Sequence, residues 1–375
     1  MLESLSIQGF RKYKNLKIDG LGKINFILGE NNVGKTSVLE AVFALACGQN
    51  AAPFMHIPLS RGRYSNIQQP YWVMEELLTM VNDRYSIPLK MSFGGVWDGK
   101  EEIFNHTVFP SDVLKDYDSS YKKDANTFLP NSKDMAGNPF IMAQQINPFM
   151  QQVIAKWEIE HDGNTIVNEL KTPYNLISEI PSFCSAKFID LLSHVAVSEN
   201  VQIYSALKRE KILEAVVEEL SRIYPEIESI DMIPYPDASL APVSIVKKDG
   251  TILPMYAFGD GVQRWFYILG ALRLYKNSIV CIDEVDTGLH RKAQKDFCRN
   301  IITSAIQNKV QLFMTTHNEE FLDNFLESSV DVGNDYKEGI RVITLRNTEN
   351  GYASRVLNAE KALDARNKYG VDLRW

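Results

Sequence analysis

Gly29-Glu30-Asn31-Asn32-Val33-Gly34-Lys35-Thr36 decides how this chain folds. The pattern G-x-x-x-x-G-K-T needs a strand before it and a helix after it to cradle phosphate. Both are legible. Lys23-Ile24-Asn25-Phe26-Ile27-Leu28 is an apolar run with strand character, and Thr36 to Leu45 places apolar residues at 38, 39, 42 and 45 with helical spacing. Glycines let the backbone wrap a phosphate chain, and the helix start aims N–H groups and positive dipole at it. Gly29, Asn31, Asn32, Val33, Gly34, Lys35, Thr36 and Ser37 are therefore the expected nucleotide-binding residues. Lys35 is placed at the β- and γ-phosphates, and Thr36 on Mg²⁺.

A second segment completes the chemistry. Ser278-Ile279-Val280-Cys281-Ile282-Asp283-Glu284 reads as a fully buried parallel strand ending in two acids. Asp283 at its edge suits the metal shell, and Glu284 suits orienting or deprotonating the attacking water. A third buried strand, Val310 to Thr316, ends at His317, whose place in this order suits γ-phosphate sensing. Phe258-Gly259-Asp260-Gly261-Val262-Gln263-Arg264 precedes another helix, and its glycines leave that helix start open to phosphate.

The 375 residues, 45% hydrophobic and 23% charged, describe a globular chain of one large domain or two lobes. There is no run of eighteen apolar residues, so no transmembrane span is expected. The four cysteines lack paired spacing and the six histidines lack zinc spacing, which points to packed, reduced thiols in a cytoplasmic setting. A net charge of −7 argues against a broadly basic nucleic-acid surface, although Arg11-Lys12-Tyr13-Lys14 and Lys208-Arg209-Glu210-Lys211 are locally basic.

Along the chain, 2–8 and 24–28 read as strands flanking a short turn, and 36–47 as a helix. A Pro/Gly/Ser/Gln-rich loop covers about 50–70, and 71–82 looks helical. Strands at 87–93 and 101–109 turn at Asp98-Gly99. Residues 110–139 read as a polar loop, whose aspartates lack the spacing of a calcium site. A hairpin fits 153–169. Residues 186–224 read as helical, strands return at 227–233 and 242–248, and 260–345 alternates helix and strand as a parallel α/β sheet does.

With these motifs in place, the chain resembles the ABC-type ATPase heads of the SMC and OLD (overcoming lysogenization defect) group. The opening Ser6-Ile7-Gln8-Gly9-Phe10-Arg11 looks like that group's first strand, and the resemblance implies a phosphate contact for Arg11. Asp283 to His290 resembles the D-loop region. The signature Leu-Ser-Gly-Gly-Gln is altered: Gly259 stands for the serine, Asp260 for the first glycine, and Gly261 matches. The resemblance implies an α/β fold: an ATPase head with a mixed β lobe and a mainly parallel sheet, at 1–48 and 225–375. A helical and hairpin insertion occupies 49–224. It further implies ATP and Mg²⁺ as cofactors and a head-to-tail dimer in which Gly259 and Gly261 serve the opposed site. The chain ends at Trp375 with no fused TOPRIM nuclease, so the expected role is a stand-alone, effector-controlling switch in anti-phage defence, the effector being a separately encoded nuclease or toxin. A nucleotide-locked scaffold and an ATPase acting on DNA ends are the alternatives.

Overall fold

Strand β3 (Ile24–Gly29) is buried along its whole length and organises the molecule. The computed structural model describes residues 1–60, 76–84, 86–110, 152–172, 180–234, 241–289, 291–332, 338–349 and 351–374. β3 lies in a six-stranded sheet of order β15-β14-β3-β13-β12-β8. Its members are β8 (Ala186–Ile189), β12 (Ile279–Ile282), β13 (Gln311–Thr315), β14 (Ile340–Thr348) and β15 (Gly351–Asn358). All pairings are parallel except that of β14 with β15. The strands look uniformly apolar because each face has its own partner. Ile24, Phe26, Leu28, Val280, Ile282, Leu312 and Met314 enter one core cluster, while Ile27, Ile279, Cys281 and Phe313 enter the other. The period of two thus survives in a sheet covered on both sides.

The first face is covered by α3 (Val197–Arg209), α4 (Leu213–Ile223), α6 (Asp260–Leu274), α7 (Arg291–Gln307), α8 (Glu319–Val332) and α9 (Ala359–Tyr369). A short α5 (Met255–Phe258) leads into α6. α6 is buried from Val262 to Leu272, so its anchoring is set by Trp265, Phe266 and Leu269 rather than by an amphipathic stripe. The other face carries α1 (Lys35–Cys47), which is sandwiched against an antiparallel sheet of order β2-β1-β4-β5-β6-β7. That sheet comprises β1 (Ser4–Phe10), β2 (Tyr13–Asp19), β4 (Leu89–Trp97), β5 (Lys100–Pro110), β6 (Gln152–His161) and β7 (Asn164–Thr172). A small sheet of β9 (Ile227–Met232), β10 (Val243–Lys247) and β11 (Ile252–Pro254) flanks α4 and α5.

Several expectations are corrected. Residues 49–224 do not stand apart as an insertion: β4 pairs with β1, and β8 pairs with β12 inside the main sheet. Residues 186–189 form a strand rather than helix, because this short run has a parallel partner and helical spacing begins only at Val197. Residues 51–60, expected in a loop, form α2 (Ala51–Ser60). Pro53 sits in its first turn, where a missing N–H costs nothing. Strand β2 lies in a segment expected as a turn; its inward positions Tyr13, Leu16 and Ile18 are spaced unevenly. The polar stretch 110–139 lies, apart from Pro110, outside the described residues. All four cysteines are free, and burial pushes the thiols of Cys47, Cys281 and Cys298 up, as packed thiols require.

Candidate nucleotide site

The phosphate loop leaves the buried end of β3 at Gly29, where φ is 143° and an added Cβ would lie 2.6 Å from the Leu345 carbonyl oxygen. Gly34, with φ 105°, begins α1. α1 has no side-chain cap and no acid in its first turn, so its leading N–H groups remain donors for an anion. Lys35 Nζ spans the loop to the carbonyls of Gly29 and Glu30, each at 3.0 Å. Burial lowers its pKa, while Asp283 and Glu284 pull it up. A triphosphate inserted there would supply the missing countercharge.

One residue here was missed in the sequence. Tyr13, fully buried on β2, donates its hydroxyl to the carbonyls of Val33 and Gly34, each at 3.0 Å. A Cβ on Gly34 would approach that hydroxyl to 2.5 Å. The loop is therefore propped from below by a phenol that admits only glycine at 34. Lys12 Nζ reaches the backbone and side chain of Asn32 on the outer rim. Asn31 and Asn32 are exposed there.

Across 247 positions of sequence, Thr36 Oγ1 lies 2.9 Å and 3.1 Å from the two Asp283 carboxylate oxygens. Thr315 Oγ1 donates to the same carboxylate at 2.6 Å. A hydroxyl and a carboxylate converging at the strand ends form a hard-oxygen set that fits Mg²⁺, with remaining positions left to water and phosphate. Ser37 follows on the half-buried first turn of α1.

Glu284 has φ 48°, an unusual backbone for a residue with a Cβ. Three bonds hold it: its N–H donates to Thr315 Oγ1 (2.8 Å), and its carbonyl accepts from the Thr287 N–H (3.2 Å) and from Arg264 Nη2 (2.7 Å). Such strain costs on the order of 1–3 kcal/mol and persists only where the surroundings over-determine it. The Thr287 hydroxyl faces the Glu284 carboxylate at 3.4 Å. His317 stands exposed on a turn whose preceding residue, Thr316, donates to Asp286 at 2.6 Å. Arg11 points elsewhere: its guanidinium forks onto Glu40 (3.0 Å and 3.2 Å) and bonds Thr79.

The signature segment lies at the start of α6. Gly259 has φ 151°, a conformation that favours glycine, and Gly261 packs so closely that an added Cβ would meet the Gly288 carbonyl at 2.3 Å. Arg264, one turn on, is wholly buried. It donates to the carbonyls of Asp283, Glu284, Asp190 and Leu191, and its Nη1 lies 3.3 Å from His194 Nδ1. His194 Nε2 in turn lies 2.7 Å from Asp260. Signature segment and acidic strand end are thus wired together within one chain. His290 lies outside the described residues.

A second cluster of ligand-type atoms, Glu102, His161 and Asp162, sits on the antiparallel sheet. The Lys100 ammonium lies 2.9 Å from Glu102 and 3.0 Å from Asp162, so an internal cation already balances those acids.

A family model described as "AAA domain, putative AbiEii toxin, Type IV TA system" matches residues 187–323, which contain Asp283, Glu284 and His317. A second, described as "AAA domain", matches residues 4–60, which contain the phosphate loop. An SMC head solved with the C-terminal winged-helix domain of ScpA aligns over 96% of this chain and 99% of its own, with TM-score 0.52 and 14% identity. The fold is that of an SMC head domain. A Helicobacter pylori protein named ATP/GTP phosphatase is 24% identical over 344 residues, covering 86% of this chain and 87% of that one. A RecF protein of Clostridioides difficile is 39% identical, but over only 49 residues, 13% of each chain. No helix among the described residues is long and apolar enough to cross a membrane.

Proposed function

We propose that this protein is an Mg·ATP-hydrolysing switch. The observation that carries the reading is the convergence of Thr36 on Asp283, with Lys35 spanning the loop beside them. The phosphate loop and the α1 start bind the triphosphate. Thr36 and Asp283 hold Mg²⁺, which neutralises charge on the phosphates. Glu284 orients the attacking water and takes its proton. His317 meets the γ-phosphate edge. The name of the Helicobacter relative supports hydrolysis of ATP, with GTP as a competing substrate.

The site needs a lid. Asp260 and Gly261 lie against Gly288 on their own chain, and the α6 start that carries them serves a second copy in a head-to-tail dimer with two composite sites, as the family resemblance implies. ATP favours that dimer by its difference in affinity between closed and open states. Output passes to a separately encoded effector, a nuclease or toxin in anti-phage defence, a role that rests on the family resemblance alone. The stretch shared with RecF favours a second reading, an ATPase acting on DNA.

Glu284→Gln separates these. A switch binds ATP, stalls as a dimer and loses effector control. A DNA-directed ATPase shows affinity for duplex that falls steeply with salt. Absence of Mg²⁺-dependent ATP binding in the unaltered protein would overturn both.

A further inference from the structure

A small cleft lies at the end of β3, lined by Leu28, His317 and residues 372–374 of the segment after α9. That segment is anchored rather than draped. Leu373 is buried, and its carbonyl accepts from the buried Thr344 hydroxyl at 2.6 Å. Thr344 is the register partner of Leu28, and Leu345 is that of Gly29. The anchor therefore sits on the strand adjoining the one from which the phosphate loop springs, about 5 Å away across the sheet.

The next residue is Arg374. Its Nε and Nη2 face Asp372 (3.0 Å and 2.8 Å), and Nη2 also meets Glu319. The two N–H groups of Nη1 lie outside those bonds. The side chain is 36% exposed, so it is open to the cleft. Two carboxylates beside a polyphosphate site would repel the ligand, and a guanidinium is the group that bridges them to it bidentately.

We propose that Arg374 is a nucleotide-contacting residue that reads the γ-phosphate from the same chain, on the His317 side of the site. Its Nε and Nη2 rest on Asp372 and Glu319, and phosphate oxygens of ATP would take over part of that latch. The assignment rests on the nucleotide site proposed above and adds a determinant of ATP over ADP that the phosphate loop alone does not provide.

The test is calorimetric binding of Mg·ATP and Mg·ADP to the full chain, in a Glu284→Gln background so that ATP is not consumed. Arg374→Ala is expected to weaken ATP about 10- to 100-fold, the range for one charge-assisted contact, and ADP less than about threefold. Arg374→Lys keeps the charge and recovers part of the loss. An unchanged ATP-to-ADP ratio in Arg374→Ala overturns the assignment. Asp372→Asn with Glu319→Gln removes the latch but keeps the arginine, so ATP binding should hold or tighten. If that pair weakens ATP as Arg374→Ala does, the residue is only a structural clasp and the proposal fails. Lys35→Ala tests the site itself: undiminished binding there sinks the nucleotide reading, independently of Arg374.

Discussion

Arg264 donates from Nη2 to the carbonyl oxygen of Glu284 at 2.7 Å, joining the helix that begins at the signature glycines to the acid assigned to water activation. The same nitrogen holds the Asp283 carbonyl at 2.8 Å. A shift of α6 is thereby transmitted to the backbone of both acids. The guanidinium is fully buried, and burial lowers its pKa while Asp260 and Asp286 oppose that shift. Its many carbonyl partners offset the cost of burying the charge.

Arg264→Lys keeps charge but cannot fork across two carbonyls and a histidine. Turnover is expected to fall at least about tenfold, because Glu284 loses its clamp, with Mg·ATP affinity within about threefold of the original. Steady-state hydrolysis alongside equilibrium binding checks this; an equal loss in both would show that the arginine merely supports folding.

Glu284→Gln removes the proton acceptor and leaves the Thr36–Asp283 pair intact. Hydrolysis should drop by roughly 10²- to 10⁴-fold while ATP binding persists. Sedimentation with and without ATP then reports whether the arrested protein accumulates as a dimer. A monomer under saturating ATP would remove the composite site.

Tyr13→Phe deletes one hydroxyl proton shared between two carbonyls of the phosphate loop and little else. A shared bond is worth about 1 kcal/mol, so the loop's anchoring weakens and ATP affinity falls by roughly threefold to tenfold. Gly34→Ala is harsher, since its Cβ would press on the same hydroxyl at 2.5 Å and its φ is 105°. Binding measured for both should rank Gly34→Ala below Tyr13→Phe; the reverse order would mean the phenol does not prop the loop.

His106 is buried on β5 and accepts from Trp157 Nε1 at 3.1 Å, and burial lowers its pKa to about 3. The unfolded chain takes up this proton near pH 6.5, whereas the folded chain does not until about pH 3. Stability should therefore fall as pH drops from about 6.5, by up to about 1.4 kcal/mol per pH unit from this group. His106→Gln keeps an acceptor for Trp157 and should flatten that acid limb in urea titrations. An unaltered limb would place the acid sensitivity elsewhere.

Sequence alone disclosed the segments whose chemistry depends on local order. The phosphate loop, the Asp283-Glu284 strand end and His317 each announce themselves by a strand ending in a functional group, because parallel strands must be apolar on both faces and place chemistry at their tips. Tyr13 and Arg264 were not legible as supports. Their roles come from contacts to backbone carbonyls 19 or more positions away, and a carbonyl leaves no trace in residue type. The middle of the chain misled for a related reason. Hairpins at 89–110 and 152–172 read correctly as hairpins, but which sheet they join depends on edge pairing with β1, which periodicity does not encode.

Strand β3 has a consequence for biogenesis. Both of its neighbours, β13 and β14, are made from residues 311–348, almost three hundred positions downstream. While translation proceeds, Ile24 to Leu28 emerge as a naked apolar ribbon with nothing to zip to, and Thr36 waits equally long for Asp283. Closure of such distant loops is slow. A prematurely stopped product therefore lacks both neighbours of β3 and the carboxylate that faces Thr36, and leaves two strand edges bare.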